Sequence, residues 1–244
     1  MSLLVTGARR LAVPIALTAV LLAGGCQKAS DEVFDARVRA YLLRHPEVIE
    51  EAVNKLNDNK AKEAAAKAQD MINRRREDID HDPRDFVANP NGKVTVAEFY
   101  DYNCTYCRAA APQILDLIRR NPDVRFVFKE FPIFGGDSDR AASLALAAKA
   151  QGKYLSLYQQ FFSVPEHLDQ PKMEQILAAS GLDKATTEHE AVSDPVRKQL
   201  TDTHALAEQL GINGTPTFIV DGKMLTGADI PALTRAIADA RKKA

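Results

Sequence analysis

The chain has 244 residues, 45% hydrophobic and 27% charged, with a formal net charge of −1. This is ordinary globular composition, with length for one large domain and an appendage. The near-neutral balance gives no reason to expect nucleic acid as a partner, and three cysteines are too few for a structural disulfide framework.

The first residues read as a targeting segment. Arg9 and Arg10 precede an apolar run, Leu11 to Leu22, that is too short for an ordinary transmembrane helix. Small residues follow at 23–25, then Cys26, the layout of a bacterial secretory signal over residues 1–25. Leu22-Ala-Gly-Gly-Cys26 also resembles a lipoprotein lipobox, with Ala23 where a larger aliphatic residue is usual. Either Cys26 is lipidated and tethers the chain to a membrane, or cleavage releases the protein.

Residues 26–80 are dominated by helix formers. Ser30 and Asp31 can cap a helix to about Arg44, with Val33, Phe34, Val38, Tyr41 and Leu42 on its apolar side. His45-Pro46 breaks it, because the residue before proline is pushed out of the helical region. A second helix carries the stripe Val48, Ile49, Ala52, Val53 and Leu56, then thins to Ala, Lys and Glu. This extension is either a solvated spacer or an oligomerisation stalk. Residues 81–92, with two prolines and a glycine, read as a linker.

Lys93–Tyr100 is β-branched and aromatic, as a buried strand requires. Cys104-Thr105-Tyr106-Cys107 follows, and then a helical pattern from Arg108 to Arg120 that includes Pro112. The two thiols therefore stand where a strand ends and a helix begins. Unpaired amide hydrogens and the helix dipole favour a thiolate there, and the thiolate is the nucleophile of disulfide exchange. Asp123–Phe131 alternates as a second strand, so strand, helix and strand form a βαβ unit. Residues 136–212 are helical by pattern. Thr215–Val220, Asp221-Gly222 and Lys223–Thr226 then spell a hairpin, and Asp229–Lys243 a last amphipathic helix.

Strand, CxxC, helix, strand, a helical block, Gly214-Thr-Pro-Thr-Phe218, a hairpin and a helix together resemble the DsbA-like arrangement: an α/β thioredoxin fold with a helical insertion at about 136–212. The resemblance covers about residues 90–244. It implies that Pro216 is cis and packs beside the cysteine pair, with Thr215 presenting backbone groups to an extended substrate. It implies a redox disulfide, Cys104–Cys107, with Thr105 and Tyr106 between the cysteines tuning its potential and contacting substrate. It further implies that Glu98, six residues before Cys104, is a buried acid that relays protons to Cys107, with Lys129 on the next strand as its partner. Cys104, nearest the helix end, is the expected exposed nucleophile, and Cys107 the resolving thiol. No cofactor is expected.

The helical extension and the threonine before Pro216 resemble the trimeric disulfide isomerases linked to suppression of copper sensitivity, the ScsC-like proteins. This favours an isomerase acting on envelope proteins in the periplasm of a Gram-negative bacterium, served by a membrane redox partner. A monomeric dithiol oxidase is the alternative. From another class, the CxxC pair could bind copper, since soft thiolates suit Cu(I), although His45, His81, His167, His189 and His204 are scattered.

Overall fold

The computed structural model describes residues 23–243, with side chains from residue 31 onward. Nearly all of the expected signal segment lies outside the described residues. Cys26 falls in the backbone of the first helix, outside the described side chains.

The elements run α1 (Ala23–Arg44), α2 (Glu47–Arg74), α3 (Arg76–Asp80), β1 (Phe86–Ala88), β2 (Val94–Tyr100) and α4 (Thr105–Arg120). They continue through β3 (Val124–Glu130), α5 (Gly136–Ala148), α6 (Tyr154–Phe162), α7 (Gln170–Ala179), α8 (Lys184–Ala191) and α9 (Asp194–Leu210). The hairpin β4 (Thr217–Val220) and β5 (Lys223–Thr226) and the helix α10 (Ile230–Arg241) complete the chain. Two compact units divide at Lys62 and Glu63, inside α2.

In the first unit, α1 stops at His45-Pro46 as expected. Most apolar positions of these helices stay uncovered: Phe34 is 66% exposed, Val33, Tyr41, Ile49, Val53 and Leu56 are exposed as well, and Leu42 and Val48 are half-buried.

The second unit is built on a five-stranded sheet in the order β1-β3-β2-β4-β5. β2 and β3 are parallel, pairing Glu98 with Phe128 and Phe99 with Lys129. β1 is antiparallel to β3, and the hairpin adds two further antiparallel strands beside β2. Asp221 and Gly222 turn that hairpin with φ of 45° and 82°, both positive, as a two-residue turn matched to strand twist requires. Gly92 enters β2 under different pressure. A Cβ there would lie 2.3 Å from the Arg125 backbone nitrogen, so only glycine lets the two chain segments approach this closely.

Both sheet faces are covered, so β2 and β3 are buried along almost their whole length, their few charged residues included. One face carries Val96, Tyr100, Phe126, Phe128 and Phe218 against α4, α6 and α10. Ile114 of α4 is fully buried there, a contribution of roughly 1.5–3 kcal/mol. The other face carries Ala97, Phe99, Val127 and Ile219 against Leu206, Ala207 and Leu210 of α9 and Ile72 and Ile79.

This corrects the expected boundaries. The stretch assigned to a linker at 81–92 contains β1, and residues from Glu63 on belong to the second unit, where Ile72 and Ile79 enter its core. A three-residue strand between prolines is too short for periodicity to reveal.

Candidate active site

The site forms where β2 hands over to α4. Cys104 is the N-cap of α4, with extended backbone (φ −75°, ψ 119°), and its sulfur accepts the Cys107 N–H at 3.4 Å. Sulfur here takes the place of the oxygen that usually caps a helix. Across from it, the Thr215–Pro216 peptide is cis, and the Cys104 thiol donates to the Thr215 carbonyl at 3.2 Å. The structure thus brings Cys104 and Cys107, at the start of α4, together with Thr215 and Pro216 from the loop before β4.

Both cysteines are thiols, and their acidities diverge. Cys104 is lowered to about 6, chiefly by its hydrogen bond with the Cys107 thiol. Thr215 and the amides of Cys107 and Tyr106 reinforce this against the opposing effect of burial. Burial is the main reason that the Cys107 thiol is pushed strongly up, with the neighbouring Cys104 adding to it. The thiol that ionises readily and the thiol that resists ionisation stand side by side.

The expectation of an exposed nucleophile needs correction. Cys104 is only 3% exposed, because Thr215 and the start of α4 close over it. Its sulfur still meets the Thr215 carbonyl and the Cys107 amide, so it is not sealed among apolar atoms. The exposed groups are the two between the cysteines, Thr105 and Tyr106, the latter 70% exposed.

Glu98 lies beneath the site, 2% exposed, its Oε2 accepting from the Tyr158 hydroxyl at 3.3 Å and its Oε1 without a hydrogen-bond partner. Burial pushes its carboxyl up to about 8.

Lys129 does not join it. Register places Lys129 opposite Phe99, so its side chain leaves the sheet on the other face. There it pairs with Asp85 and donates to the Asp78 carbonyl. The residue facing Glu98 is Phe128, and the proposed Glu98–Lys129 partnership is excluded by strand parity.

A second acid, which the sequence reading missed, does share the Glu98 face. Glu130 Oε1 accepts from Tyr100, Tyr154 and Tyr102 hydroxyls at 2.6, 2.7 and 3.1 Å. Burial pushes it up to about 8 as well. The signal was present in parity alone, since Glu130 follows Phe128 by two residues as Tyr100 follows Glu98. Among the described residues, no three His, Cys, Asp or Glu side chains gather to hold a metal.

The pattern for a DsbA-like thioredoxin domain matches residues 95–238, and that for the copper resistance protein ScsC N-terminal domain matches residues 33–63. The chain belongs to the DsbA-like thioredoxin family, and its N-terminal segment makes it ScsC-like. A thioredoxin-like oxidoreductase from Silicibacter pomeroyi is 37% identical, with a TM-score of 0.66 over 69% of this chain and 99% of its own. Proteus mirabilis ScsC in a transitional conformation is 25% identical, with a TM-score of 0.67 over 89% of this chain and 99% of its own. The Na(+)/H(+) antiporter NhaA 1 of Mycobacterium sp. (strain KMS) is 30% identical over 162 residues, 63% of this chain. The chain spans only 26% of that antiporter's length, and no described helix is long and apolar enough to cross a membrane.

Proposed function

We propose that this protein is an exported thiol:disulfide oxidoreductase of the periplasm that rearranges disulfides in envelope proteins. One observation carries the reading: Cys104 Sγ sits at a helix N-cap, 3.2 Å from the carbonyl that precedes cis-Pro216.

The Cys104 thiolate attacks one sulfur of a client disulfide. A mixed disulfide forms, and the client's other sulfur leaves as a thiolate that takes up a proton. In isomerisation another client thiolate then displaces Cys104, so no net oxidation occurs. Alternatively Cys107 gives up its proton and attacks Cys104 Sγ, leaving the Cys104–Cys107 disulfide and a reduced client; the reverse sequence installs a disulfide. Glu98, near enough to influence the Cys107 thiol and held at about 8 by burial, is the proposed proton relay, its ionised fraction taking the Cys107 proton in the resolving step. Thr215, Thr105 and Tyr106 would contact the client chain, and a membrane redox partner would reset the pair.

Isomerase is favoured over oxidase by the uncovered apolar residues of the first unit, Phe34, Tyr41, Ile49, Val53 and Leu56. Monomeric proteins rarely leave such a row in water, and a second and third copy of this chain would cover it. Several sites around one client suit shuffling. Cys26, if lipidated, would fix the assembly to a membrane.

Cys104 should alkylate at pH 6 far faster than an ordinary thiol, and Cys104→Ser should abolish insulin reduction and scrambled-ribonuclease refolding. Slow, equal alkylation of both cysteines would end the exchange reading. Light scattering should give a multiple of the protomer mass that collapses on deleting residues 31–62. A monomeric full-length protein would return the oxidase to first place.

A further inference from the structure

This inference rests on the exchange reading above and concerns what holds its nucleophile in place. Three residues, Asp101, Tyr102 and Asn103, connect β2 to Cys104. Asn103 faces the helical block that begins at α5. Its Oδ1 accepts the Leu168 N–H at 2.7 Å, and its Nδ2 donates to the Leu168 carbonyl and to Ser138 Oγ, both at 3.3 Å. Leu168 is fully buried in the loop between α6 and α7, where its backbone groups must find partners, and one amide side chain satisfies both.

Ser138, in the first turn of α5, closes the circuit by donating to Asp101 Oδ1 at 2.7 Å. The same oxygen accepts the Asn103 N–H at 2.6 Å. Asp101 Oδ2 accepts the amides of Ile133 and Phe134 at 2.6 and 3.0 Å, and the Asp101 carbonyl accepts the Cys104 N–H at 3.1 Å. The residue before the nucleophile is therefore clamped to the helical block through its side chain and to the sheet end through its amide. A cap functions only in a narrow backbone range, and this clamp fixes the entry of the chain into it.

We propose that Asn103 is a positioning residue through which the helical block α5–α7 holds Cys104 at the N-cap of α4, so that this block, and not the thioredoxin core alone, sets the reactivity of the sulfur. The block is then part of the catalytic apparatus.

The test titrates the Cys104 thiolate by ultraviolet absorbance and by alkylation rate in the full-length protein. Asn103→Ala removes the clamp, and Ser138→Ala loosens it from the far side while leaving every residue from Asp101 to Cys107 unchanged. Met173→Ala is the control, since Met173 is buried in α7 and makes none of these bonds. Asn103→Ala should raise the Cys104 pKa by about one unit and slow alkylation about tenfold at pH 5, where rate follows thiolate fraction. Ser138→Ala should move it the same way by less, and Met173→Ala should lower the urea midpoint and leave the titration in place. The proposal is overturned if Asn103→Ala titrates with the parent, or if Met173→Ala shifts the titration as far. Should Asn103→Ala not fold, Ser138→Ala decides on the same criterion. A parent protein whose Cys104 titrates as an ordinary thiol defeats the exchange reading itself, an outcome separate from an unmoved variant beside a low-titrating parent.

Discussion

The two faces of the central sheet each bury ionisable groups, and they treat them in opposite ways. On the face away from the cysteines, Lys129 meets Asp85, both almost without exposure. Burial pushes the Asp85 carboxyl up, and the Lys129 charge beside it works against that rise. On the cysteine face, Glu98 and Glu130 have only phenol donors and no cation. Burial without a counter-charge pushes each carboxyl up to about 8, where a proton can be taken or released near neutrality. A paired charge anchors structure, whereas an unpaired acid stores a proton.

The comparison breaks most visibly at the ion pair. Lys129→Met leaves Asp85 buried without its partner and should cost about 3–5 kcal/mol in urea unfolding, with Cys104 alkylation unchanged. The double change with Asp85→Leu should recover most of the loss. A single variant near parent stability would mean that the pair is not desolvated.

A smaller effect, with a definite sign, sharpens the other face. The native protein keeps protons on Glu98 and Glu130 that the unfolded chain releases near its ordinary value of 4.5. The unfolded state therefore binds fewer protons between about pH 4.5 and 8, and stability must fall as pH rises through that window. Glu98→Gln and Glu130→Gln should each remove their share of this decline, so their advantage over the parent grows from pH 5 to pH 8 by a few kcal/mol. Parallel stability curves would show that the acids are not proton-bearing.

The smallest effect touches only the cover of the cysteine face. Asp229 Oδ1 accepts the Ala232 N–H at 2.8 Å and caps α10. Asp229→Ala should cost about 1 kcal/mol, with both titrations in place.

Much of this arrangement was legible. The hairpin could be read because Asp-Gly is a local signal and needs no partner strand. The cysteine pair could be placed at a helix end because strand and helix periods abut there. Residues whose meaning depends on register were not legible. Lys129 looks like a match for Glu98 until β2 and β3 are aligned, and one residue of offset sends it through the sheet. Glu130 and its tyrosines come from β2, the loop after it, β3 and α6, a convergence that no single window of sequence contains. The Asn103–Leu168 pairing spans 65 residues and has no periodic trace.

The contact between Cys104 and Thr215 carries a consequence for timing. A thiol can donate to that carbonyl; a bare sulfur anion has no hydrogen to offer. Ionisation therefore does two things in one event: it arms the attacking atom and releases a main-chain acceptor at the rim of the cleft. In the exchange cycle proposed above, an arriving polypeptide would find that carbonyl vacant only once the sulfur beside it is ionised, so one proton would govern both admission and reactivity.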